Sequence, residues 1–247
     1  MRRIPSIPRT LRPVLVQESV AGVLRDTILS AELRPGDRIV ELRWARQLGV
    51  AQASVREALR RLEGEGFVTR RANRGAYVTS LSEAQVRDIY RVRIELEGLA
   101  AELFAEHRNH RTLRSMRRIT DRMEEAAEKL DVRRFYELDL QFHSALWEGS
   151  KNPYLEQFLR SIVVPLFTFV ILRIPKGTRT REGLLRSTGQ HRETVGALER
   201  ADPLAAKQFV ARHMKEFASA TQALMAQRGA VASDKGVRGS APSKIPR

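Results

Sequence analysis

From Val14 to Ala31 the apolar positions Val16, Val20, Val23, Leu24 and Ile28 recur at three- and four-residue intervals, the spacing that gathers side chains on one helical face. Pro35-Gly36 follows with a turn signal. Glu41 to Leu48 predicts a short second helix closed by Gly49, and Gln52 to Glu65 a third closed by Gly66. Two β-prone pieces come next, Phe67 to Arg70 and Ala76 to Thr79, separated by the turn-forming Ala72-Asn73-Arg74-Gly75. Three helices followed by a hairpin is the element order of a winged helix-turn-helix.

Behind the hairpin the period stays helical. Ser82 and Gln85 form a capping-box pair that starts a new helix, so a domain boundary is expected near Leu81. Long amphipathic runs follow at about 82–107, 112–130, 133–148, 153–173, 184–200 and 203–227, and Asn152-Pro153 and Asp202-Pro203 are start signals for the fourth and sixth. No strand pattern interrupts them. The expected fold class is mainly α: a winged helix-turn-helix domain over 14–80 and an all-helical bundle of about six helices over 81–227.

Charge changes this picture at the chain's ends. The formal net charge is +15, and residues 1–80 carry 15 Arg and no Lys against 8 acids, so the excess is densest in the winged domain. Clustered cations of this kind attract polyanions. Residues 1–13 read as a flexible basic arm, and 228–247, with 5 bases and 1 acid among Gly, Ser, Ala and Pro, as a disordered basic tail. The sequence has no cysteine, which removes disulfides and thiolate metal sites. With no apolar run near the roughly 20 residues that span a bilayer and no apolar segment after the basic start, a cytoplasmic protein is expected.

A recognition helix needs base-reading side chains at its N-terminal end and cations on its flanks. Gln52, Ser54 and Arg56 occupy that end of the third helix, with Arg60 one turn on; Arg43 precedes it, and Arg70, Asn73 and Arg74 belong to the hairpin. Gln52 suits adenine, and Arg56 suits guanine or phosphate. Taken alone, the arginines fit a solvated helix face better. Their setting decides between the readings. The stretch Leu33 to Val78, through Pro35-Gly36-Asp37, Leu48-Gly49-Val50, Val55-Arg56-Glu57-Ala58-Leu59, Leu62-Glu63, Gly66 and Asn73-Arg74-Gly75, resembles the DNA-binding domain of the GntR superfamily. It departs where that family usually has Ser-Arg-Thr-Pro and this chain has Ala51-Gln52-Ala53-Ser54, so Gln52 stands in place of an arginine that commonly touches bases.

In the helical part Asp139 and His143 are spaced i, i+4 and share a helix face, while His191 and His213 lie on the fifth and sixth predicted helices of the bundle. One carboxylate and three imidazoles suit a divalent ion such as Zn, Ni or Mn, although each histidine alone fits an ordinary buried or surface role. Residues 82–226 resemble the FCD effector domain of the FadR-type branch, whose metal-binding members use one Asp and three His. The resemblance implies Asp139, His143, His191 and His213 as that set, and Arg93, in a motif with Leu96 and Glu97, as the effector-binding residue that holds a carboxylate. Spacing alone also allows an exposed salt bridge from Arg93 to Glu97.

Three functions fit these features. The resemblance favours a homodimeric transcription regulator, a repressor of a catabolic operon that reads a palindromic operator in double-stranded DNA and is released by a small carboxylate at the metal site. A metal-dependent enzyme fused to a DNA-binding module would need an acid or base beyond the ligands, and no motif supplies one. A nonspecific architectural protein would explain the charge and leave the helical domain without a role.

Overall fold

The computed structural model describes residues 13–237 apart from 31, 108 and 174–179. The winged domain comprises α1 (Pro13–Leu29), β1 (Arg38–Ile39), α2 (Glu41–Leu48), α3 (Gln52–Gly64), β2 (Val68–Arg71) and β3 (Gly75–Val78). Val20, Leu24 and Ile28 of α1 meet Leu48 of α2, Val55, Leu59 and Leu62 of α3, and Val68 and Val78 of the sheet in one buried core. The turn between α2 and α3 depends on Gly49, whose φ of 67° ends α2 in the left-handed conformation and returns its N–H to the Ala45 carbonyl.

The sheet has three strands in the order β1-β3-β2, not the expected two. Arg38 and Ile39 pair antiparallel with Tyr77 and Ala76. Two residues are too few to show alternation, and the pairing comes from a segment far along the chain.

The bundle comprises α4 (Glu83–His107), α5 (His110–Glu128), α6 (Val132–Gly149), α7 (Pro153–Arg173), α8 (Arg181–Glu199) and α9 (Pro203–Val237). Ser82 and Gln85 exchange the two hydrogen bonds of a capping box at the start of α4. Asn109 and Thr180 cap α5 and α8 through their side chains, and this starts both helices a few residues earlier than the apolar pattern suggests. Helix α9 continues to Val237, past Arg228 where the disordered tail is expected, because an existing helix propagates into ordinary residues more easily than one nucleates there. Residues 1–12 of the basic arm and 238–247 of the tail lie outside the described residues.

Phe104, Phe135, Phe142, Leu146, Trp147 and Leu159 dominate the bundle core. Helices α4 and α6 approach so closely at Gly149 that a Cβ there would lie 2.3 Å from the Phe104 ring.

A narrow seam joins the two domains. Thr168 Oγ1 of α7 donates to the Glu65 carbonyl at the end of α3 (3.0 Å). Next to it Gly66 has a φ of 76°, and a Cβ there would lie 2.8 Å from the Val164 carbonyl. Glycine is required at Gly66 twice over, by its backbone angle and by the approach of α7.

Gly149→Ala is therefore expected to destabilise the protein by about 1 to 3 kcal/mol through overpacking. Gly189→Ala, in α8 with nothing within 4 Å of the added Cβ, is expected to be neutral or to stabilise by about 1 kcal/mol. Urea denaturation of the two variants beside the parent checks both.

Candidate metal centre and nucleic-acid interface

Helix α6 carries Asp139 and His143 one turn apart, α8 carries His191, and α9 carries His213; all four side chains are buried. One ligand atom from each lies within 4.8 Å of all the others. The Asp139 Oδ1 atom is 2.8 Å from His191 Nε2 and 3.5 Å from His143 Nε2. The four residues thus converge as the sequence suggests.

Their outer contacts settle what the inner atoms are. His143 Nδ1 lies 2.5 Å from a Glu97 carboxylate oxygen. Burial works against ionisation of Glu97, but Arg93 beside it and His143 outweigh that and hold its carboxyl at about 2. An ionised carboxylate only accepts, so His143 Nδ1 donates. His191 Nδ1 donates to the Ser187 carbonyl (2.7 Å). For His213 the partner is Gln190 Oε1 at 2.8 Å, and the orientation of that amide is fixed because its Nε2 donates to Glu216 (2.6 Å). Burial, reinforced by neighbouring His191, pushes the His213 imidazolium well below the ordinary histidine range, so the ring is neutral.

With every Nδ1 donating outward, the three Nε2 atoms face the Asp139 carboxylate; burial opposes ionisation of His143, but Glu97 and Asp139 raise its pKa, so in the absence of another cation this ring is the one that favours a second proton. His143 Nε2, His191 Nε2, His213 Nε2 and Asp139 Oδ1 all lack a hydrogen-bond partner among the described residues. A carboxylate and three inward ring nitrogens, buried together with poorly formed hydrogen bonds, are stabilised by a cation at their centre, either a proton or a metal ion. Outward hydrogen bonds that fix each tautomer are also what metal-ligating histidines use. The residues present fit a metal ion.

Arg93 is fully buried on α4, and its Nε donates to Glu97 in a very short ion pair. The exposed i, i+4 salt bridge allowed by spacing is thus corrected to an interior one, because α7 and α9 pack over that face of α4. Its guanidinium carbon lies 4.9 Å from the centre of the Phe167 ring, while Nη1 and Nη2 have no partner among the described residues. Two buried guanidinium nitrogens without an acceptor are unfavourable even though Nε is paired with Glu97, so this side chain is disposed to hold an anion.

On the winged domain Arg43, Gln52, Arg56, Arg60, Arg70, Asn73 and Arg74 are exposed, and Ser54 is half-buried. Glu41 at the start of α2 accepts from both Gln52 Nε2 and Arg56 Nε, each at 3.1 Å. Arg60 pairs with Glu57 and Arg70 with Glu63, and Arg70 also reaches the Arg56 carbonyl (3.4 Å), tying the hairpin to α3. Asn73 occupies the hairpin tip with a φ of 57°, a conformation asparagine tolerates well.

Residues 16–78 match the model of bacterial regulatory proteins of the gntR family, and residues 88–216 match the FCD domain. The HTH-type transcriptional regulator YdhC of Bacillus subtilis is 30% identical over 191 residues, 77% of this chain and 84% of that protein. The chain belongs to the gntR family. A probable D-xylose utilization operon transcriptional repressor of Paenarthrobacter nicotinovorans is 29% identical to this gntR-family regulator over 84% of the chain and 91% of the relative. The solved structure of McbR/YncC from E. coli shares its fold, with a TM-score of 0.67 at 22% identity over 83% of this chain and 96% of that one.

Sequence reasoning missed Gln190 and the Ser187 carbonyl as supports of the gntR-family regulator's cluster. The i, i+4 spacing of Ser187 and His191 was the available signal for one. For Gln190, adjacent to His191 in sequence but bonded to a different helix, there was none.

A metal that binds only the folded state is expected to raise stability by about 2.7 kcal/mol at a hundredfold excess over its dissociation constant, with chelation reversing the gain. His143→Ala should abolish that response, and Gln190→Leu should weaken metal affinity about 10- to 100-fold while leaving the fold intact. Because coordination needs neutral imidazoles, and Glu97 outweighs burial to raise the pKa of His143, the metal-dependent part of the stability is expected to be present at alkaline pH and to fade as pH falls and His143 takes up a proton. Thermal melts with zinc or chelator across pH check each statement.

Proposed function

We propose that this transcription regulator is a homodimeric, cytoplasmic repressor of a catabolic operon, bound to a palindromic operator and released by a small carboxylic acid that completes a divalent metal site, with Zn, Ni or Mn as the ion. The observation that carries the effector reading is the charge balance of the bundle interior. Glu97 offsets Arg93, and Asp139 is the one carboxylate left over when the three imidazoles serve as neutral ligands. A divalent ion reverses that sign, and a single carboxylate returns it to zero while offering acceptors to the unpaired nitrogens of Arg93. The ion acts as an anion receptor whose open position takes the effector.

Helix α7 links this interior to the DNA-binding domain. Phe167 packs on Arg93 and lies 6.0 Å from His143, while the adjacent Thr168 holds the end of α3. An effector that moves Arg93 thereby acts on a helical turn that also bears on the recognition helix. Val92 and Leu99, seven residues apart on α4, and Tyr154 and Phe158 on α7 are exposed apolar residues suited to a second copy of the chain. No described helix is long and apolar enough to cross a membrane. The D-xylose utilization repressor supports control of a catabolic operon. The enzyme reading gives way because the relatives across both domains are transcription regulators.

DNA contact is assigned to Gln52, Ser54 and Arg56 for base edges and to Arg43, Arg60, Arg70, Asn73 and Arg74 for the backbone or minor groove. To read a base, Gln52 and Arg56 must leave Glu41. Operator titrations at fixed salt are expected to show Arg56→Ala or Gln52→Ala losing about 1 to 3 kcal/mol and relaxing preference at one base pair. Arg70→Ala or Arg74→Ala should instead weaken operator and random DNA alike. Unchanged base preference in both of the first pair would sink the docking assignment.

A further inference from the structure

His213 is the one cluster residue in the wall of a cavity of about 250 Å³ between α6, α8 and α9, which Gln190, its Nδ1 partner, also lines. That volume falls below the roughly 300 to 1,000 Å³ of sites for drug-sized ligands, so whatever enters is small. Phe135, Tyr136 and Phe217 contribute three rings to a wall that also includes Thr180, Arg186, Gln190 and Glu216. Ring faces and edges of this kind favour a flat apolar body over a hydrated polyol or a flexible diacid.

Two polar features narrow the occupant further. Ser187 lines the cavity, and its hydroxyl oxygen is buried with no partner among the described residues. A buried hydroxyl without a partner is unfavourable, and a ligand hydroxyl would relieve it. Glu216 also lines the cavity, at its exposed rim, and accepts from Gln190, so an acidic side chain lies beside any second carboxylate. The cation at this wall, Arg186, is drawn to Glu182 and largely exposed.

We infer that the effector is a hydroxylated aromatic monocarboxylate: its carboxylate lies at the cluster beside His213, its ring against Phe135, Tyr136 and Phe217, and its hydroxyl on Ser187. The inference rests on the reading of the cluster as a metal-assisted carboxylate site and adds the class of acid. A monocarboxylate also leaves the filled interior neutral, whereas a diacid adds a negative charge beside Glu216. Ser187 is then a specificity-determining residue, since a site built to pair a hydroxyl discriminates against the analogue without one.

The test is calorimetric titration of the zinc-loaded full-length protein with 3-hydroxybenzoate, 4-hydroxybenzoate, benzoate and succinate, with zinc content measured in the same samples. At least one hydroxybenzoate is expected to bind tenfold or more tightly than benzoate, and benzoate more tightly than succinate. Ser187→Ala should erase the advantage of the hydroxyl, and Glu216→Gln, compared at equal zinc content because Glu216 also braces Gln190, should narrow the gap between benzoate and succinate. If zinc is held and succinate binds as tightly as the aromatic acids, the aromatic inference is overturned and the carboxylate reading stands. If zinc is held and no acid binds, or if no zinc is retained, both fall. A hydroxyl preference that survives in Ser187→Ala removes Ser187 from the role.

Discussion

The interior of the helical domain is organised around one electrostatic constraint: three imidazole ring nitrogens and a carboxylate oxygen are buried together within 4.8 Å of one another, an arrangement that calls for a cation among them. Helical bundles ordinarily avoid such a core, because each unpaired acceptor costs free energy that packing must offset. Here the surrounding contacts maintain it. Glu97 on α4, the Ser187 carbonyl on α8 and Gln190, braced by Glu216 of α9, each hold one ring so that its second nitrogen faces inward. Three of the six helices are thereby tied to the orientation of the imidazoles, and the placement of Arg93 follows from Glu97 serving both the cation and His143.

The same contacts explain what the sequence could and could not disclose. Periodicity and capping residues located the helices, since Ser82 with Gln85, Asn152 and Asp202 act locally and their partners lie within a few positions. The metal-ligating set was legible because Asp139 and His143 share a helical turn and the other histidines matched a family pattern. Burial of the Arg93–Glu97 pair was not legible, because i, i+4 spacing is identical for an exposed pair and an interior one, and only the packing of α7 and α9 distinguishes them. Strand β1 escaped for a related reason: two residues make a strand only when a distant partner, β3, presents its edge.

The winged domain shows a different economy. Its base-reading candidates are not idle in the protein alone: Glu41 engages both Gln52 and Arg56. These pairs are exposed and individually weak, so their loss on DNA binding is a small cost beside the gain from well-formed base contacts. Glu41 also keeps two flexible side chains near one position at the start of α3, which reduces the ordering entropy still to be lost on binding.

The seam at α7 has a consequence for inheritance. Val164, Pro165 and Thr168 touch the end of α3 through Gly66 and Glu65, while Phe167, in the same turn, lies against Arg93. Glycine at Gly66 is fixed by a neighbour in the other domain as well as by its own backbone angle, so the two domains cannot drift independently in sequence at this point. A genetic screen for alleles deaf to the effector therefore has targets here, in residues outside the candidate metal cluster and away from the side chains proposed to meet DNA, and a chimera that joins this winged domain to another helical domain must carry the matching turn of α7 with it.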